Sequence, residues 1–258
     1  MVQTHSSTLW FPRRVDNPDV AIRLLCFPHA GGGSAAYFRL KDHLGNHVEL
    51  VPARFPGREG RFQEAPFDEL DVLLETLGSE VRKIVDEPYA LLGHSLGAYV
   101  AFELARLLKR DGLPAPAYLF VVAAQAPQLP PQTPFLHILS DDELHVQLRL
   151  RYGEMPAGSD ERLFRLLLPT LRADLKMVET YQYRAAEPLD CPILAIGGRD
   201  DQTVQPTGLA GWREQTAVRF SQRTIAGGHF LFNQSGPQVM QLIGQKLNSG
   251  LSDKAKRD

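Results

Sequence analysis

Short apolar runs alternate with stretches of helical periodicity along most of this chain. The runs Ile22 to Phe27, Val48 to Ala53, Tyr89 to Leu92, Tyr118 to Ala123, Ile193 to Ile196 and Arg219 to Ile225 have the length and bounding residues of strands. Between them Leu70, Leu73, Leu74, Leu77, Val81, Ile84 and Val85 recur at helical spacing, as do Val100, Leu104, Leu107 and Leu108. Strands that alternate with helices predict an α/β fold with a mostly parallel sheet, its faces covered by the helical stripes.

One region breaks the rhythm. After Ala123 the chain meets Pro127, Pro130, Pro131 and Pro134, then two helical stretches, before the next strand at Ile193. This pattern predicts a helical cap, or lid, inserted at about residues 127–187 into a single domain spanning 1–258. Ser140-Asp141-Asp142-Glu143 has the Ser-x-x-Glu form of a capping box that opens the first cap helix, and Pro156-Ala157-Gly158 separates it from the second. The second is expected from about Asp160 to Tyr183. Its apolar residues, among them Leu163, Phe164, Leu166, Leu168, Leu171, Leu175 and Val178, exceed one packing stripe. They either line a greasy substrate channel or are buried between the cap helices, and burial is the plainer reading. The charged tail Ser252 to Asp258 is expected to be disordered.

Composition narrows the function classes. With 28 Lys+Arg against 30 Asp+Glu there is no strong field to draw nucleic acid or an anionic membrane. The N-terminus lacks the basic start and apolar run of a signal peptide, and no stretch reaches membrane-spanning length, so a cytoplasmic protein is expected. Cys26 and Cys191 give neither a disulfide framework nor a metal spacing, and both read as buried thiols. The histidines His5, His43, His47, His137 and His145 show no metal spacing either.

The candidate chemistry begins at Gly93-His94-Ser95-Leu96-Gly97. A serine hydroxyl is a weak nucleophile at neutral pH, so it needs a base, an orienter for that base, and donors for the oxyanion. The pentapeptide alone is common. Here it lies between the strand Tyr89 to Leu92 and a helix beginning near Leu96, which is the context of a nucleophile elbow in an α/β-hydrolase fold. Bulk at 93 or 97 would clash in so tight a turn, and the Leu96 N–H would face the developing charge.

The base is expected late in the chain, and His229 sits in Ala226-Gly227-Gly228-His229-Phe230 after the last strand. The orienting acid is expected between them, where Ile193 to Gly198 is followed by Arg199-Asp200-Asp201. Asp201 fits Gly198-x-x-Asp201-x-x-Val204 and is favoured, with Asp200 the fallback. Taken singly, His229 reads as a surface-loop histidine and the Asp pair as a solvated turn; three residues in the order Ser, Asp, His read as a catalytic triad. Phe27-Pro28-His29-Ala30-Gly31-Gly32-Gly33 follows an early strand and offers the Ala30 N–H as second oxyanion donor. A rival reading takes Gly31-x-Gly33-x-x-Ala36 as a dinucleotide fingerprint, but the second strand ends at Arg54 where an acidic residue is needed. His94 is read as structural, since its side chain points away from Ser95 at a sharp turn.

Several segments together resemble the type II thioesterases, free-standing enzymes that accompany polyketide and nonribosomal peptide synthases. They are Phe27-Pro28-His29-Ala30-Gly31-Gly32, Pro56-Gly57-Arg58-Glu59, Leu92 to Ala98 continuing to Ala101-Phe102-Glu103-Leu104-Ala105-Arg106, Leu168-Pro169-Thr170-Leu171-Arg172-Ala173-Asp174, and Gly227-Gly228-His229-Phe230. The resemblance implies hydrolysis of acyl thioesters carried on the phosphopantetheine arm of acyl or peptidyl carrier proteins, without metal or redox cofactor, by a protein expected to be monomeric. It assigns Ser95 as nucleophile, His229 as base, Asp201 as orienter and the Ala30 and Leu96 amides as oxyanion donors. Two departures lie near the cap entrance: Ala123-Ala124-Gln125-Ala126-Pro127-Gln128, where the family often reads Ser-Gly before Ala-Pro-His, and Gly153-Glu154 in place of Gly-Gly. A general carboxylesterase or lipase, and a hydrolase-like fold used only for binding, are the alternatives. Arg54, Arg58, Arg61, Arg106, Lys109 and Arg110 are either a docking face for an acidic carrier or an ordinary solvated surface.

Overall fold

The computed structural model describes residues 9–12, 20–85, 88–153 and 161–254, with the side chains of 250–254 excepted. The expected strands form one sheet with order β2-β1-β3-β4-β5-β6, every neighbouring pair parallel. They are β1 (Ile22–Phe27), β2 (Val48–Pro52), β3 (Tyr89–His94), β4 (Leu119–Val122), β5 (Ile193–Gly198) and β6 (Phe220–Ile225). Alternate side chains feed two cores. Leu25, Phe27, Leu91, Leu119, Val121, Ile193 and Ala195 pack under α2 (Leu70–Val81) and α3 (Leu96–Arg110). Leu24, Cys26, Ala90, Leu92, Phe120, Val122, Leu194 and Ile196 pack under residues of α8 (Gly236–Lys254) such as Val239, Met240 and Ile243. Burial on both faces explains why the inner strands read as continuous apolar runs. At the edge, β6 carries Ser221, Gln222, Arg223 and Thr224 and is only part-buried.

The insertion between β4 and β5 holds α4 (Asp141–Tyr152) and α5 (Glu161–Glu179). Ser140 and Glu143 close both halves of the capping box at the start of α4. Leu144 and Leu148 of α4 meet Phe164, Leu168, Leu171 and Leu175 of α5 in a third core of the cap's own. α5 stops at Glu179, short of Tyr183, because the chain then runs extended along α3, with Tyr181 and Tyr183 packed on the main core. Leu163 and Leu166 face solvent. The helix α8 continues to Lys254, so Ser252 to Lys254 are helical where disorder was expected. Glu154, the break at Pro156 to Gly158 and the last four residues of the tail lie outside the described residues. The short helices α1 (Ala35–Phe38), α6 (Pro206–Ala210) and α7 (Leu231–Gln234) complete the chain.

Candidate active site

Parallel strands bring their carboxyl ends to one edge, so the segments after β1, β3, β5 and β6 converge although they span two hundred residues of sequence. Ser95 follows β3 directly, with φ 54° and ψ −116°, a strained conformation for a residue with a side chain. Its N–H donates to the Val122 carbonyl at 2.8 Å, which holds the turn against β4. The two glycines are obligatory for steric reasons. A Cβ on Gly93 would lie 2.1 Å from the Gly97 carbonyl oxygen, and one on Gly97 would lie 2.0 Å from that of Phe27.

Three side chains line up across this edge. Ser95 Oγ lies 3.0 Å from His229 Nε2, and His229 Nδ1 lies 2.9 Å from Asp201 Oδ2. A carboxylate only accepts, so Nδ1 carries the proton and Nε2 presents a lone pair to the serine hydroxyl. Asp201 is 6% exposed, and burial alone would raise its pKa. The hydrogen bond and charge of His229, with the bonds from Thr203, outweigh that and hold the carboxyl below its ordinary range. Its second oxygen, Oδ1, accepts from the Thr203 N–H at 2.8 Å and the Thr203 hydroxyl at 2.6 Å. Thr203 Oγ1 also stands 3.0 Å from His229 Nδ1, so one hydroxyl braces both partners, which sequence reasoning did not anticipate.

Asp200, the fallback, does different work. Its carboxylate accepts from the Gly227 N–H at 3.3 Å and its own N–H donates to the Gly227 carbonyl at 2.9 Å, so it ties the histidine loop to β5. His94 is structural, as read from the sequence: its Nε2 donates to the His229 carbonyl at 2.8 Å. Burial, then the neighbouring His29 and His229, holds its pKa well below the usual value, so it is neutral. His29, in the adjacent loop, is lowered to about 3, chiefly by burial.

The loop after β1 is set by contacts no local pattern predicts. Gly32 N–H donates to the His29 carbonyl at 2.8 Å, and Gly31 at φ 72° occupies the left-handed region that glycine tolerates. Asp174 of α5, fully buried, accepts the Gly31 N–H at 2.7 Å and a two-pronged pair from Arg58 at 2.8 Å each. Arg58 also donates to the Gly32 carbonyl at 2.9 Å. Arg58 is thus 4% exposed and is no docking residue; Arg61, paired with Glu64 and seated over the Trp10 ring, is buried as well. The dinucleotide alternative fails on this geometry, because the Gly31 amide is taken by the protein's own carboxylate and the helix that follows is four residues long. Among the described residues the Ala30 and Leu96 N–H groups have no protein acceptor.

A cavity of about 80 Å³ opens on Ser95 and His229, walled by Tyr99, Gln125, Tyr152, Leu175, Val178 and Thr203 among others. A larger hollow of about 560 Å³ lies among Glu103, Arg106, Lys109 and Arg184 on the α2–α3 side; it shares no residue with the cavity at Ser95, and within it Arg106 pairs with Glu103 and Arg184 with Asp71. We place the chemistry in the smaller space for that reason. Of the apolar surplus on α5, Leu175 and Val178 reach the cavity while Phe164, Leu168 and Leu171 fill the cap core. The Tyr152 ring, its centroid 4.7 Å from that of His229, closes one side, and burial raises its phenol to about 12. Among the described residues no three His, Cys, Asp or Glu side chains stand together as a metal site, and no helix is long and apolar enough to cross a membrane.

Comparison with known proteins finds relatives over nearly the whole of this chain. The family model described as "Thioesterase domain" matches residues 22–247. The gramicidin S biosynthesis protein GrsT of Aneurinibacillus migulanus is 35% identical over 246 residues, covering 95% of this chain and 96% of that protein. Thioesterase PikA5 of Streptomyces venezuelae is 35% identical over 243 residues, covering 93% of this chain and 86% of its own. Among solved structures, the type II thioesterase BorB from the borrelidin biosynthetic cluster superposes with a TM-score of 0.85 at 36% identity, covering 93% of this chain and 98% of that one.

Proposed function

The chain belongs to the thioesterase family and is a thioester hydrolase, and we propose that it releases acyl groups from the phosphopantetheine arm of carrier proteins in polyketide or nonribosomal peptide assembly, clearing aberrant ones. One observation carries the mechanism: the unbroken line from Ser95 Oγ through His229 to the buried Asp201. In this reading His229 Nε2 takes the Ser95 proton as Oγ attacks the thioester carbonyl. The free Ala30 and Leu96 N–H groups receive the oxyanion. The carbon–sulfur bond breaks as the tetrahedral intermediate collapses; the thiolate is a good leaving group that needs little acid assistance, and it takes the proton from His229 Nε2 as it departs as the pantetheine thiol, which leaves the imidazole neutral again. A water that gives its proton to His229 then attacks the acyl-serine, and Ser95 recovers its proton as the acid departs. Asp201 stays ionised throughout, which its lowered pKa supports.

The insertion acts in this reading as a lid over the acyl group, with the acyl chain against Leu175 and Val178. No cofactor is required, and the partner is the carrier protein. Hydrolysis of acyl-pantetheine thioesters by the intact protein and by Ser95→Ala tests the proposal. We expect a loss of at least about 10³-fold with an unchanged circular dichroism spectrum. Equal rates in the two proteins, or faster cleavage of matched oxygen esters than of thioesters, would overturn it.

A further inference from the structure

We propose that Asp174, a residue of the cap, positions the oxyanion hole: it fixes the turn that carries the Ala30 N–H, so that helix α5 is a working part of the catalytic centre as well as its cover. The proposal rests on the assignment of Ala30 as an oxyanion donor.

The turn runs from His29 to Gly32, closed by the Gly32 N–H on the His29 carbonyl. With Gly31 at φ 72° in its third position it has the type II form. Types I and II differ by a flip of the central peptide, here the one between Ala30 and Gly31. In the form observed, that peptide's N–H points at Asp174 Oδ2, 2.7 Å away. The flipped peptide would turn the Ala30 carbonyl oxygen toward a buried carboxylate. Asp174 therefore selects one of the two forms, and Arg58 supports the choice by holding both Asp174 and the Gly32 carbonyl.

A buried ion pair is a poor device for stability alone, since well-packed apolar residues of similar volume usually serve as well or better. Apolar residues there would hold α5 down. They would not accept the Gly31 N–H. The same helix approaches Gly31 closely a second time, where a Cβ on that residue would meet Leu171 Cδ1 at 3.2 Å. One residue beyond Asp174, Leu175 walls the cavity at Ser95. The element that touches the acyl group is thus the element that sets the oxyanion turn, and small misplacement of such donors is costly in rate.

Two double variants isolate the acceptor. Arg58→Met with Asp174→Leu removes the ion pair and the acceptor. Arg58→Met with Asp174→Asn removes the ion pair and keeps an oxygen for the Gly31 N–H. We expect kcat to fall about 10²-fold in the leucine variant and to stay within about 3-fold of the parent in the asparagine variant, with KM nearly unchanged in both. The affinity for an alkyl boronic acid, which forms a tetrahedral adduct on Ser95, should fall in step with kcat. It reads the oxyanion hole even if the natural substrate is not a thioester. Equal kcat and equal boronate affinity in the two variants would reduce Asp174 to a structural role and overturn the inference. The unmutated protein supplies an independent check. The Gly31 amide hydrogen should exchange with solvent as slowly as those of β1, and rapid exchange would equally overturn it.

Discussion

The two cap helices come from one insertion and share one apolar core, yet they are attached to the protein in different ways. α5 is bound into the catalytic floor: Asp174 meets Arg58 and Gly31, Thr170 Oγ1 donates to the Gly57 carbonyl at 2.7 Å, and Lys176 pairs with Asp68. Near its end Glu179 accepts the Leu136 and His137 N–H groups and so holds the approach to α4. α4 buries only Leu144 and Leu148, leaves Val146 and Leu150 in solvent, and among the described residues its polar side chains bond within the cap. It reaches the cavity at Ser95 through its last two residues, Arg151 and Tyr152, the latter against the His229 ring. If the insertion acts as the lid proposed above, α4 is the half whose opening breaks few contacts, while moving α5 would break the Asp174 contact to the turn at Gly31.

The largest effect expected from this difference is at Asp174→Ala. It strands the Arg58 charge in a buried site, and urea denaturation should record a loss of about 3–5 kcal/mol. A loss below about 1 kcal/mol would mean that α5 is not bound in as described.

Next comes a matched pair inside the cap core. Leu171→Ala on α5 should cost about 2–5 kcal/mol of global stability. Leu148→Ala on α4 should cost clearly less, because α4 can open without unfolding the sheet, and the change should appear instead as faster amide exchange confined to α4. Equal global costs would break the comparison.

The smallest effect concerns the floor on which Tyr152 rests. His94 pins the His229 backbone as a neutral donor, and its pKa is far below that of an unfolded histidine, near 6.5. Protonation therefore favours the unfolded chain. Stability from this group is complete above about pH 6.5 and declines as pH falls below that value, by up to about 1.4 kcal/mol per pH unit. Denaturation curves at pH 7, 6 and 5 should show stability declining in the parent, with His29, its pKa held at about 3, adding to the slope, and declining less steeply in His94→Gln. Parallel slopes would show that His94 is charged in the folded state.

Much of this was legible in the chain because it is local. Continuous apolar runs place the inner strands and period-3.6 stripes place α2 and α3, since burial on both sheet faces or along a helix stripe imposes those patterns, whereas α8 is not among the elements read from the chain. Gly93, Ser95 and Gly97 announce themselves because a strand, a tight turn and a helix within ten residues leave room for nothing larger. The order of Ser95, Asp201 and His229 is readable for the same reason: in a parallel sheet, residues just past strand ends must share one edge. Helix ends were less legible. Nothing in the alternation of apolar residues near Glu179 says that Tyr181 and Tyr183 will find the main core in extended form.

What the sequence determined by itself, then, is the sheet, the strand–turn–helix at Ser95 and the chain order of Ser95, the Asp200–Asp201 pair and His229, each fixed by neighbours a few residues apart or by that order. The sequence favoured Asp201 over Asp200, but tertiary structure decided which of the two meets His229, because they are adjacent in the chain and differ only in the side of the turn they face. Tertiary structure alone made Arg58 a buried partner of Asp174, 116 residues away. A contact of that range has no periodicity to betray it. Its two charges look like solvated surface until packing removes the water around them.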